Sequence, residues 1–324
     1  MRSEAPRPRV LAGRFVVDLG QAGDGVPLPA LAGYETVIWA LPVPRDSAHG
    51  TDAVLAVLAQ DAQGQQALVW LDALGRPLAP PVTRETQGCS WASWLPESRQ
   101  ILAGCEPTGR PATVQRIGPL GDEWQILDRD VIDVPGFARG ATEWRGAVVL
   151  ASGRTHVVRR DPVSLQPLST FAELVAPPGS VDRERLFLDH RDRLLVLDSS
   201  ANRVEIWQAS EAGPELVGLT PDLGRVLGPS RWDPRRRWLW VATDAGLLAI
   251  DPDRPDRMAW VIPAPPGARI GDLLTPEGDA LVWLLWRQSA TVGLVDPRVR
   301  RQIDEVSAGA DRGATLVELG RPGR

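Results

Sequence analysis

Lysine is absent from this 324-residue chain, and all 36 of its basic residues are arginine. A Walker A loop, which needs Lys to reach the phosphates, is thereby excluded. Schiff-base and pyridoxal chemistry go with it, since both need a lysine amine. An arginine-only complement fits the codon usage of a GC-rich genome and carries no function by itself. Cysteine is nearly missing too: Cys89 and Cys105 are the only two. They cannot complete a zinc site with His49, His156 and His190, which do not stand at ligand spacing. No metal and no other cofactor is expected. Long apolar runs are also lacking. Near the amino terminus only Val10-Leu11-Ala12 lies between arginines, whereas a secretory signal needs about seven or more apolar residues. The run Ala280 to Trp286 is far short of the roughly 20 residues of a membrane helix. A cytoplasmic location without membrane association is the expectation. The net charge of −5 leaves no electrostatic footprint for nucleic acid.

What the chain does have is repetition. Trp39, Trp94, Trp144, Leu188, Trp232 and Leu274 each end an apolar stretch, and a turn and a second apolar stretch follow. A period of about 44 residues marks a repeat architecture, and four short strands per period mark a β-propeller blade. Third strands are the easiest to read, and four of them end in Asp72, Asp161, Asp251 and Asp296, three times as Asp-Pro. That is turn chemistry, in which the carboxylate caps backbone N–H groups and Pro presets φ.

Six repeats cover roughly residues 34 to 308. Residues 310–319 read as one more inner strand, and residues 8–30 as its partners, with Phe15-Val-Val-Asp-Leu19 matching the third-strand pattern. The prediction is an all-β fold: a β-propeller of seven four-stranded blades, the last shared by both termini, in one domain over residues 1–324. Six blades with loose ends is the alternative. The insert Pro42 to Thr51 follows the first marker and reads either as a docking loop or as ordinary loop variation.

Leu186 to Trp207, with its Asp198-Ser-x-x-Asn202-Arg203 turn, resembles an NHL-type propeller repeat. Trp238 to Pro252 resembles the repeats of bacterial sensor-type and quinoprotein-like propellers. Both resemblances imply the fold and say little of activity, because propellers host binding and catalysis alike.

Candidate sites are few. Cys89 and Cys105 lie about equidistant from the Glu97 turn. They read as two buried thiols of a reducing cytoplasm, and a disulfide would instead argue for an oxidising compartment. Trp238 and Trp240 alternate with Leu239 and read as blade packing. One constellation is sharper. Counting five residues back from Trp144, Leu188 and Leu274 gives Arg139, Arg183 and Arg269; Arg312 lies 43 residues beyond Arg269, and the same count from Trp39 gives Tyr34, the only tyrosine. All would stand near the start of innermost strands, at a channel mouth. Converging guanidiniums repel unless something anionic lies between them. Either the set is an anion site, which arginine's planar fork suits, or Asp182, Glu184, Asp272 and Asp311 neutralise it.

The function expected on this basis is a non-catalytic scaffold that binds a protein partner, a small anion, or both. A propeller hydrolase is the alternative, in two forms. Gluconolactonase and regucalcin-like propellers hold a divalent metal with carboxylate and Asn ligands, and Asn202 is the only Asn here. Sialidase-like propellers use clustered arginines and a Tyr nucleophile helped by a carboxylate, for which Tyr34 and Glu35 would serve. The Ser-x-Asp-x-Gly-x-x-Trp boxes of that family are absent.

Overall fold

Short runs of Val, Leu, Ile and Ala, each closed by a turn, leave the backbone little alternative to paired strands. The computed structural model describes residues 9–12, 14–18, 26–43, 55–72, 75–83, 87–106, 112–120, 123–131, 138–168, 173–265, 267–276, 280–307 and 316–319. Among them, seven antiparallel sheets of three or four strands form the blades of a β-propeller, and the 3-10 turn Pro29–Leu31 is the helical content.

The inner strands of blades 1 to 6 are Thr36–Pro42, Cys89–Leu95, Ala138–Trp144, Arg183–Leu188, Val226–Asp233 and Ile270–Leu274. Blade 7 is built from both ends of the chain: Leu316–Leu319 pairs with Arg9–Ala12, which pairs with Phe15–Asp18. The expected sharing of the last blade is thus present, with residue 9 opposite residue 319.

Among the described residues, blades 1 and 3 have three strands where four were expected. The fourth segment is reduced to isolated bridges, Leu68 with Val82 and Leu71 with Pro77 in blade 1, Val158 with Glu173 and Arg160 with Pro167 in blade 3. Proline explains this: Pro77, Pro80, Pro81, Pro162 and Pro167 bring no N–H to a ladder.

The chain divides into two compact units. One comprises residues 88–264 and holds blades 2 to 5; the other comprises residues 1–87 and 265–324 and holds blades 6, 7 and 1. In each, the core lies between blades. In the first, Trp144, Val149 and Val157 of blade 3 pack against Leu186, Val196 and Trp207 of blade 4. Leu195 and Ile206 of blade 4 meet Val241 and Leu248 of blade 5. In the second unit, Leu11 and Val16 of blade 7 pack against Val57 and Val69 of blade 1. Trp283 and Leu294 of blade 6 close on Ala12 and Leu316. Middle strands such as Ala147–Ser152 and Leu194–Asp198 are buried along their whole length. Trp238 and Trp240 meet edge to face, with ring centroids 5.5 Å apart, and Trp240 is fully buried.

The third-strand aspartates cap turns. Asp72 accepts the Arg76 N–H, Asp161 those of Val163 and Ser164, Asp251 that of Asp253 and Asp296 that of Arg298, all at 2.7–3.0 Å. The cysteines depart from the expectation of free thiols. Cys89 and Cys105 are directly paired residues on neighbouring strands and form a disulfide between two buried side chains. No helix among the described residues is long and apolar enough to cross a membrane. The Pro42 to Thr51 insert lies largely outside the described residues.

Candidate active site at the bulged inner strands

Among the described residues, six inner strands skip one or more register positions against their partners. In blade 3, Ala138 pairs with Ser152 and Gly140 with Ala151, which leaves Arg139 as the extra residue. In blade 4, Arg183 pairs with Asp198 and Arg185 with Leu197, which leaves Glu184. A bulge frees one residue from the alternation of the pleat and re-aims its side chain. Arg139 and Glu184 are therefore equivalent positions of neighbouring blades, and they meet: Arg139 Nη1 lies 3.5 Å from Glu184 Oε2. The same nitrogen donates to both carboxylate oxygens of Asp182 at 2.8 Å.

Asp182 is held from below. The buried Asp198 carboxylate, at the end of the middle strand of blade 4, accepts the N–H groups of Val181, Asp182 and Ala201 at 2.7–2.9 Å. On the other side of Glu184, Arg185 Nε lies 3.4 Å from Glu184 Oε1. Its Nη1 donates to the Gly228 carbonyl at 2.7 Å and to Ser230 Oγ at 3.2 Å, in the wide bulge of blade 5. Gly140 lets the two inner strands approach, since a Cβ there would stand 2.9 Å from the Glu184 carbonyl oxygen.

Glu106, an exposed residue, lies in electrostatic reach of Arg139. It follows Cys105 directly, and its N–H donates to the Gly88 carbonyl at 2.8 Å, so the disulfide and this bond fix the end of the hairpin that carries it. Partial desolvation raises the Glu106 pKa above the ordinary glutamate value, and the positive charge of Arg139 draws it part of the way back. A carboxyl with a raised pKa in the field of a guanidinium is suited to proton transfer near neutral pH.

The residues expected at a channel mouth take different places. Arg139 stands in the site just described. Arg183 does not, which corrects its assignment to a ligand site. It precedes the bulge by one position, so its side chain turns into the blade and is fully buried. There it lies 2.9 Å from Glu205 Oε2, donates to the Thr155 and Leu174 carbonyls at 2.9 and 2.8 Å, and stacks 5.6 Å from the Trp207 ring centre. Arg269 is an exposed loop residue of the other unit whose N–H donates to Gln288. Arg312 lies outside the described residues.

Tyr34 packs against the Leu31 and Val37 cluster, and burial, then the charge of Asp61, raises its phenol pKa. A tyrosine nucleophile needs activation toward the anion, so this direction does not support the sialidase-like form. Asn202, the only Asn, sits in the turn between the second and third strands of its blade and accepts the Val226 N–H at 3.1 Å. Asp182 and Glu184 converge on a guanidinium and not on one another, and among the described residues no three His, Cys, Asp or Glu side chains are grouped to hold a metal ion. The donor set does not fit a bound divalent cation. His156 pairs with Glu173 at 2.7 Å, and His190 stacks on Trp232.

Comparison with solved structures finds the same fold at low identity. The chain is similar to the periplasmic gluconolactonase PpgL of Pseudomonas aeruginosa, with a TM-score of 0.70, 14% identity, and 97% of this chain and 99% of that one covered. It is also similar to a putative 6-phosphogluconolactonase of Bacteroides fragilis, with a TM-score of 0.67, 12% identity, and 98% and 99% covered. A protein of Lactobacillus plantarum matches with a TM-score of 0.67, 11% identity, and 95% and 98% covered. No family model and no curated protein sequence matches the chain. These neighbours overturn the expectation of a non-catalytic scaffold, because those named by an activity are lactonases, the class carried above as the alternative.

Proposed function

We propose that this chain is a propeller hydrolase that opens sugar lactones at the bulged inner strands of blades 2 to 4. The observation that carries the reading is the Arg139 guanidinium, re-aimed by its bulge and held by Asp182 at 2.8 Å, with the Glu106 carboxyl in its electrostatic reach. The likeness to two lactonase propellers over nearly the whole chain supports it.

In the proposed reaction Glu106 accepts a proton from water as the water oxygen attacks the lactone carbonyl. Arg139, fixed by Asp182, stabilises the negative charge that develops on the carbonyl oxygen. The acyl C–O bond of the ring then breaks, and Glu106 returns its proton to the departing ring oxygen. The products are one hydroxyl and one carboxylic acid, so one water is consumed for each lactone opened.

The test is the acid released by purified protein from D-glucono-1,5-lactone, read with a pH indicator above the spontaneous rate. Glu106→Gln should lower kcat by about 10²–10⁴-fold with the melting temperature unchanged. Turnover should rise with pH through the raised Glu106 pKa, because the carboxylate is the active form. Wild-type protein working at the spontaneous rate would refute the reading.

The Cys89–Cys105 disulfide supports a working place in an oxidising compartment, in contrast to the cytoplasmic expectation. The NHL-type and quinoprotein-like character of single repeats belongs to this proposal as a statement of repeat ancestry.

A further inference from the structure

We infer that Ser90 is a further residue of the site, and that its hydroxyl receives a hydroxyl group of the sugar lactone on the blade 2 side of Arg139. This rests on the lactonase reading and names a residue that decides which lactones fit.

The bulge that frees Arg139 and Glu184 recurs one blade earlier. In blade 2, Cys89 pairs with Cys105 and Trp91 with Gly104, which leaves Ser90 as the extra residue. It is exposed, in a strand whose other members are buried or half-buried. Ser90, Arg139 and Glu184 are therefore equivalent positions of three successive blades. The register between the first two blades agrees. Ser93 Oγ accepts the Ala141 N–H at 3.3 Å, which ties the inner strand of blade 2 to that of blade 3. Three residues back from Ser93 is Ser90, and two residues back from Ala141 is Arg139. At about 3.3 Å per residue the two bulges stand within one step of the same level. Arg139 and Glu184, one blade on, show the reach of such positions, since their side chains lie 3.5 Å apart.

Both neighbours of Ser90 are pinned. Cys89 is tied to Cys105 by the disulfide, and the Gly88 carbonyl before it accepts the Glu106 N–H at 2.8 Å. On the other side the Trp91 indole lies over Gly104, in the space that a Cβ there would claim. A side chain presented from a bulge fixed in this way needs little further ordering when a ligand arrives, which lowers the cost of binding. A serine hydroxyl both donates and accepts. It therefore matches a sugar hydroxyl, whereas the charge of Arg139 matches the carbonyl oxygen. A site that hydrogen-bonds a substrate hydroxyl discriminates against the analogue without one.

The experiment measures kcat/KM of the wild type and of Ser90→Ala on D-glucono-1,5-lactone and on δ-valerolactone, the same ring without hydroxyls. Ser90→Ala should lower the value for the sugar lactone about tenfold and leave that for δ-valerolactone, and the melting temperature, unchanged. Ser90→Thr keeps the hydroxyl and should retain most of the activity on the sugar lactone. An equal fall on both lactones, or no fall on the sugar lactone, would overturn the inference and leave the lactonase reading standing. Turnover of neither lactone by the wild type would defeat the lactonase reading, and the role of Ser90 with it.

Discussion

Arg139 and Arg183 open the inner strands of neighbouring blades with the same guanidinium and end in different surroundings. Arg139 lies a quarter exposed beside Asp182 and Glu184, which are also partly open to solvent. Arg183 and its partner Glu205 are both completely buried, with Ser180 Oγ and Trp207 Nε1 each 2.9 Å from the glutamate. Desolvation lowers the Arg183 pKa, and the Glu205 charge holds it up. A buried ion pair contributes little net stability, yet losing one partner is costly because the other charge is left in a dry interior. A pair partly open to solvent is screened more than a buried one, and its loss costs less. One arginine therefore braces a blade, while the other is available for chemistry, and a single register step separates them.

The comparison can be broken most forcefully at Arg183. Arg183→Met should cost about 3–5 kcal/mol in urea unfolding, because Glu205 is left unpaired. The double change Arg183→Met with Glu205→Leu should recover much of that loss. A single-variant loss below about 1 kcal/mol would mean that water reaches the pair and the contrast is false.

Arg139→Gln should change stability by about 1 kcal/mol or less while lactone turnover falls. A melting temperature lowered as far as in Arg183→Met would show that Arg139 is also a brace.

The smallest effect is expected at an exposed capped turn outside both networks. Asp161 has its pKa lowered by the Ser164 N–H, then by the Ser164 hydroxyl and the Val163 N–H. A lowered folded pKa gives stability that is present above the unfolded value of 3.8 and is lost as the pH falls through the folded value. Asp161→Asn should therefore lower the melting temperature slightly at neutral pH, with the difference from wild type fading in acid. A constant difference across that range would show that the carboxylate charge is not what caps the turn.

The blades, their number and the sharing of the last one could be read from the residues, because alternating apolar strands and Asp-Pro turns repeat at fixed spacing. The two missing fourth strands were also written in the chain, in prolines such as Pro77 and Pro167. The bulge was not legible. Arg139, Glu184, Ser90 and Gly271 are polar or small, so an extra residue of that kind leaves the apolar pattern unaltered. A count back from a strand-end marker then crosses it unseen, and that is how Arg183 was placed beside Arg139. Aligning blades by bulge matches Arg139 with Glu184 instead. Glu106 escaped notice because no repeat marker stands beside it; its one signal was its place directly after Cys105. The cysteine pairing was visible as two positions equidistant from a turn, whereas its oxidation depends on surroundings that spacing does not record.

The seventh blade has a consequence for the time course of synthesis. Leu316 to Leu319 must meet Ala12 to Arg9 in antiparallel register, and Leu316 and Val317 each also join an apolar cluster with residues of the neighbouring blade. A ribosome adding about 5–20 residues per second delivers that strand long after Ala12. For many seconds after Leu11 and Ala12 emerge, their strand therefore has an open edge and no closing partner. Those early residues must wait until Leu316 to Leu319 arrive to cover them.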